Sequence, residues 1–98
     1  MIRVILPGQL SILANVGREI ELQLQGPVTI AALLDSLEAQ HPSLRGTIRN
    51  QLTQERRPFI RFFVAGEDLS LEEPSYPLPP EVATGKIPFR VVGAMAGG

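Results

Sequence analysis

The chain has 98 residues and a mass of 10.7 kDa, which is the size of one small domain with one hydrophobic core. Hydrophobic residues make up 44% and charged residues 19%, a globular composition that excludes a disordered chain. Nine basic and ten acidic side chains give a net charge of -1, which argues against sequence-independent binding to nucleic acid. The lack of cysteine excludes disulfides, thiolate catalysis and cysteine-ligated metal sites. We therefore expect a single domain over 1–98.

The first half of the chain predicts two strands and one helix. Residues 2–6 are β-rich and end at a Pro-Gly turn, and residues 19–24 alternate polar and apolar side chains. These two strands could form a hairpin, with 9–17 as a loop between them. Thr29 is a favourable N-cap, and apolar residues at helical spacing predict a helix that ends at His41, before a proline. The apolar stripe of this helix consists of Ile30, Leu33, Leu34 and Leu37.

The second half predicts a short second helix, further strands and a long loop. Leucine and isoleucine at a spacing of four residues predict the second helix over 44–52. The aromatic and β-branched segment 59–65 predicts a central strand, and a short strand is expected to follow at 68–71. Residues 72–88 contain five of the nine prolines and are predicted to be a loop without helix or strand. Residues 89–92 form the last predicted strand.

No apolar stretch of the sequence predicts a signal peptide or a membrane span. The apolar start of the chain, 1–7, is too short for either, and no later run reaches the roughly 18 residues that a span needs. The sequence therefore predicts a soluble, cytoplasmic protein that binds no membrane.

The sequence offers little that could form an enzyme active site. His41 is the only histidine, and its place beside a helix-ending proline favours a surface or capping role. The acidic pairs at 67–68 and 72–73 lie in turns, without the spacing of metal ligands. Neither a Gly-x-Ser-x-Gly motif nor a glycine-rich phosphate loop is present. We expect a protein that is not an enzyme and has no metal or cofactor.

The most informative feature is the diglycine at the end of the sequence. Residues 93–98 are expected to form a mobile tail, which reaches ~20 Å when fully extended. Because glycine has no side chain, Gly97 and Gly98 would let the terminal carboxylate enter a narrow active site of another protein. A carboxylate becomes electrophilic only after activation. An ATP-using partner could convert it to an acyl adenylate, which a sulfide, a persulfide or an amine would then capture.

The predicted partner surface is the sheet face opposite the helix. In the Phe62-Phe63 pair, successive side chains point to opposite faces, so one of the two leaves the core face. We expect Phe63 and Val92 to contact a partner on that opposite face, and Met95 and Ala96 to extend the contact along the tail.

Six segments, taken in their order and spacing, resemble the ThiS/MoaD family of ubiquitin-like β-grasp proteins. The ending Ala-Met-Ala-Gly-Gly is the most specific of them. The segments are 4–10, 19–24, 29–37, 41–45, 62–68 and 94–98. The resemblance implies an α+β fold of the ubiquitin-like β-grasp type. Such a fold has a mixed sheet of four to five strands, one main helix packed on one face and a mobile C-terminal tail.

The resemblance also implies a function, that of a sulfur carrier. In that family a ubiquitin-activating-type enzyme adenylates the terminal glycine carboxylate, which becomes a thiocarboxylate. Carried over to this sequence, the family's terminal glycine is Gly98, which would bear the sulfur. Gly97 would let the terminal carboxylate enter the active site of the enzyme. The implied partners are the ATP-dependent adenylating enzyme and a sulfur-accepting biosynthetic enzyme that makes molybdopterin, thiazole or another sulfur compound. The chain would then be a cosubstrate, or the small subunit of a complex similar to molybdopterin synthase.

Two other functions remain open from the sequence. The chain could be a ubiquitin-like modifier that is joined through Gly98 to lysines of target proteins. Chains built on the protein itself are not expected, because Lys86 is the only lysine. Alternatively, the chain could be a β-grasp interaction subunit whose tail inserts into a partner and is never activated.

Overall fold

Five strands and three α-helices form from residues 1–93, which are the residues that the computed structural model describes. In chain order the elements are β1 (Ile2–Ile5), α1 (Gly8–Ala14), β2 (Glu19–Leu22), α2 (Ile30–Gln40), a 3-10 turn (Pro42–Leu44), β3 (Ile60–Val64), β4 (Glu67–Asp68), α3 (Pro80–Ala83) and β5 (Phe89–Gly93). The longest helix, α2, is the one predicted from the apolar stripe. Its N-cap is confirmed, since the Thr29 hydroxyl accepts a hydrogen bond from the Ala32 amide at 3.0 Å.

The strands form one mixed sheet with the order β2-β1-β5-β3-β4. Strand β5 lies at the centre, parallel to β1 and antiparallel to β3, and the other pairs are antiparallel. Arg90 of β5 is opposite Ile5 on one side and Phe63 on the other. The predicted pairing of the first two strands is confirmed, whereas the predicted central strand β3 lies one position off the centre.

The two faces of the sheet differ because side chains alternate along every strand. The core face carries side chains such as Val4, Phe62 and Phe89, which are buried together with the apolar stripe of α2. The Phe62 and Phe89 rings are 5.3 Å apart between centroids. The opposite face carries half-buried and exposed side chains, and we call it the open face. Its three inner strands contribute Arg3, Ile5, Arg61, Phe63, Arg90 and Val92.

Two predictions about the segments between the strands are wrong. The segment 9–17 is not a loop, because α1 occupies most of it and ends at Asn15 in the left-handed conformation. The second helix over 44–52 does not form. Gly46 has a φ of +81°, and the Asn50 side chain accepts hydrogen bonds from the next turn, so the chain turns there instead. Leu52 is consequently 93% exposed.

The region before β5 also departs from the prediction. Residues 72–88 contain the short helix α3, which begins at Pro80, a position where the missing proline N–H is not needed. Gly93, predicted to begin the tail, is the last residue of β5. The rest of the predicted tail, 94–98, lies outside the described residues. Within 1–93, no helix is long and apolar enough to cross a membrane.

Candidate functional site

The chain leaves the sheet from the end of its central strand. Gly93 is opposite Ile60 of β3, and a Cβ atom added to it would lie 3.8 Å from the Cβ of Pro7, the N-cap of α1. The last described residue is therefore flanked on both sides. The predicted site residues Gly97 and Gly98 lie outside the described residues.

The two predicted contact residues of the sheet lie on the open face. Phe63 is opposite Arg90, and Val92 is opposite Arg61, so that Phe63 and Val92 are diagonal neighbours across the β3–β5 pair. Both side chains are half-buried. The other two predicted contact residues, Met95 and Ala96, lie outside the described residues. The sheet thus brings together the two predicted residues that the structure describes.

A depression of about 260 Å³ lies beside Phe63 on the open face. It is lined by Phe63, Ala65, Gly66, Ile87, Pro88 and Arg90. The β3–β4 turn closes one end of it, and that turn requires positive φ at Ala65 and Gly66. Its apolar walls could receive one side chain of a partner.

The open face combines these apolar groups with guanidinium groups. Arg61 is 3.4 Å from the Asp68 carboxylate, whereas Arg90 makes no ion pair within 1–93. Hydrogen bonds from Ser70, together with Arg61, hold the pKa of Asp68 below its ordinary value. The acidic side chains of the same face, Glu19, Glu21 and Asp68, balance its arginines, so a carboxylate of a partner would pair with Arg90 locally and not be attracted by the face as a whole.

A turn before β5 holds the central strand in register with β1. Gly85 has a φ of +82°, and a Cβ atom there would overlap the carbonyl oxygen of Met1. Arg3 donates a hydrogen bond from Nε to the Gly85 carbonyl at 2.7 Å and one from Nη2 to the Lys86 carbonyl at 3.3 Å. Only glycine fits this close approach, so the sequence needs glycine at 85 to place β5.

The sequence analysis missed a groove of about 580 Å³ on the helix side of the sheet. Its floor is formed by Ile30 and Leu34 of α2 and by Phe62 of β3. Its first wall is 53–56 and its second wall is 70–74. No sequence pattern indicates this groove, because the three parts come from distant positions in the chain.

A buried arginine in the lining of the groove forms ion pairs with α2. Arg49 is 5% exposed and donates from Nε to Glu38 at 2.9 Å, and it also donates to Asp35. Burial lowers the pKa of Arg49, but the hydrogen bonds that it donates to these two carboxylates outweigh this effect, and the pKa of Arg49 is raised. These ion pairs of Arg49 tie the segment that precedes the first wall to α2.

Comparison with known proteins identifies the fold. No protein-family model and no curated protein matches the sequence. Among solved structures, the chain is similar to SAMP1 from Haloferax volcanii, with 20% identity, coverage of 99% of this chain and 98% of that chain, and a TM-score of 0.75. It is also similar to the Amycolatopsis orientalis BexX/CysO complex, with 18% identity, full coverage of both chains and a TM-score of 0.77.

A third similar structure is CysO from Mycobacterium tuberculosis, an antigen, with 15% identity, coverage of 97% and 100%, and a TM-score of 0.76. Together with the five-stranded mixed sheet and α2, these similarities show that the chain has the ubiquitin-like β-grasp fold. The predicted fold class is therefore confirmed, whereas the assignment to the ThiS/MoaD branch stays a prediction.

Proposed function

We propose that this protein, as one domain over 1–98, is a sulfur carrier that serves other enzymes as a cosubstrate. An ATP-dependent enzyme of the ubiquitin-activating type would join the Gly98 carboxylate to AMP and release pyrophosphate. Hydrosulfide would then attack the acyl carbon, displace AMP and lose its proton, leaving a thiocarboxylate on Gly98. A biosynthetic enzyme that makes molybdopterin, thiazole or another sulfur compound would accept the sulfur.

One observation carries this proposal: the central strand of a β-grasp sheet ends at Gly93, five residues before Gly98, the last residue of the diglycine. Five extended residues reach ~17 Å, far enough for Gly98 to enter an active site while the sheet stays outside it. Gly97 and Gly98 leave the backbone free of side chains near the reacting carbonyl. The similar structures add support, since they include a small archaeal modifier protein and CysO in a complex.

The activating enzyme is expected to dock on the open face. Phe63 and Val92 would supply the apolar contact, Arg90 would pair with a carboxylate of the enzyme, and Met95 and Ala96 would extend the contact along the tail. An apolar contact flanked by charge is the usual composition of such interfaces. The proposed role needs no catalytic side chain in the chain itself.

Intact mass spectrometry tests the proposed function. The full chain is incubated with ATP, sulfide and an adenylating enzyme encoded in the same genome. We expect the mass increase that corresponds to exchange of one oxygen for one sulfur, and its loss in a variant without Gly98. Covalent adducts on other proteins would instead favour the modifier, and tight binding without any mass change would favour the interaction subunit.

Two substitutions test how the enzyme recognises the chain. Gly97→Leu should block adenylation by filling the narrow channel, and unchanged adenylation would contradict that idea. Phe63→Ser should raise the KM of adenylation about tenfold, the effect of losing a central interface contact. Leu52→Ser removes an equally apolar but fully solvated side chain and should leave KM unchanged. Equal KM values for both variants would refute docking through Phe63.

A further inference from the structure

The groove on the helix side is preformed by hydrogen bonds. Arg56 of the first wall donates to the Ser70 carbonyl at 2.9 Å and to the Ile60 carbonyl at 2.6 Å, which ties both walls to the start of β3. The Pro74 carbonyl accepts a hydrogen bond from the Ala31 amide at 2.9 Å, which fixes the second wall on α2. A ligand therefore does not have to order these segments when it binds.

The rim of the groove carries uncompensated negative charge. Glu55 stands on the first wall, and Glu72 and Glu73 stand on the second; all three are exposed, and none forms an ion pair within 1–93. The two arginines of the lining do not neutralise them. Arg49 is paired with carboxylates of α2, and Arg56 donates to backbone carbonyls.

We propose that this groove binds a peptide segment of a partner protein in which an apolar side chain is flanked by lysine or arginine on both sides. The apolar side chain would contact the accessible apolar lining, Ala31, Leu71 and Pro74, above a floor that is at most 4% exposed. The cations would pair with carboxylates of the two walls. Leu71 stands at the rim, 88% exposed, and would be covered by the same segment. The groove lies across the sheet from the open face, so the inference is independent of the proposed function.

An NMR titration of the full chain with a capped peptide tests the proposal. The probe is Gly-Lys-Leu-Leu-Lys-Gly, with acetylated and amidated ends, added up to about 1 mM, the upper range of weak binding. We expect backbone amide shifts concentrated in 53–56 and 70–74, and weaker binding as salt is added. The same peptide with glutamate in place of lysine should bind at least tenfold more weakly.

Charge reversal on the protein gives the matched control. The double variant Glu55→Lys/Glu73→Lys changes one carboxylate on each wall and should bind the lysine peptide about tenfold more weakly, since two exposed charge pairs are each replaced by repulsion. The double variant Glu21→Lys/Glu81→Lys makes the same change in net charge at exposed positions of β2 and α3, away from the groove, and should bind as the unaltered chain does. The proposal is overturned by shifts that map to the open face, by no shifts at about 1 mM, or by equal binding of both variants.

Discussion

Replacing Glu38 with alanine should strongly destabilise the fold, because it leaves the Arg49 guanidinium buried without its main partner. Glu38 accepts two hydrogen bonds from Arg49, at 2.9 Å from Nε and 3.3 Å from Nη2, and its side chain is 11% exposed. Breaking one side of a buried pair costs about 3–5 kcal/mol. Asp35 still pairs with Arg49, but it is 68% exposed and therefore largely screened, so we expect the lower value, about 3 kcal/mol.

This loss is measurable by thermal unfolding, followed by far-UV circular dichroism. At roughly 4–8 °C for each kcal/mol in a domain of this size, Tm should fall by about 12–24 °C. The double variant Glu38→Leu/Arg49→Met removes both charges and should unfold close to the original temperature, because an apolar pair of similar volume replaces a buried ion pair at little loss. A decrease below about 4 °C in Glu38→Ala would refute the reasoning and mean that water reaches Arg49.

Two further substitutions separate local causes of stability. Gly85→Ala and Gly66→Ala both place alanine at a φ of +82°, which costs about 1–2 kcal/mol, but only Gly85→Ala also collides with the Met1 carbonyl. Urea unfolding should therefore show the greater loss for Gly85→Ala, and equal losses would contradict the close approach. Asp68→Asn should lower stability at pH 6 but not near pH 2. The depressed pKa of Asp68 stabilises the fold at pH values above its ordinary pKa of 3.8, and this stabilisation is lost as the pH falls through the pKa of the folded state. An effect of the substitution that does not depend on pH would count against the Ser70 hydrogen bonds.

The elements that the sequence predicted correctly are those with a local physical cause. Thr29 caps α2 with its own hydroxyl, and the alternation in β2 buries every second side chain. The helix predicted over 44–52 does not form, because the apolar residues that lie four positions apart there do not mark one face of a helix. Ile48 and Arg49 are buried by contacts with distant elements, and Gly46 adopts a conformation that ends a helix.

The part of the candidate site that lies on the open face was predictable, because it also has a local physical cause. Phe63 and Val92 share the open face because their neighbours Phe62 and Val91 are core residues, and side chains alternate along a strand. The position of β5 at the centre of the sheet depends on pairing with two strands distant in sequence. The groove depends on loops whose paths follow from the Arg56 hydrogen bonds, which have no signature in the sequence.

The placement of β5 explains why the irregular segments can vary without affecting the proposed chemistry. The end of β5 is paired with Ile60 and lies beside Pro7, and the start of β5 is held by the turn at Gly85, so the point from which the tail starts is fixed by the sheet and by that turn. The segments 44–56 and 69–80 contribute to the groove on the opposite side and do not flank that point. A partner seated in the groove would therefore leave the open face accessible, and one chain could hold such a partner while its tail is being activated.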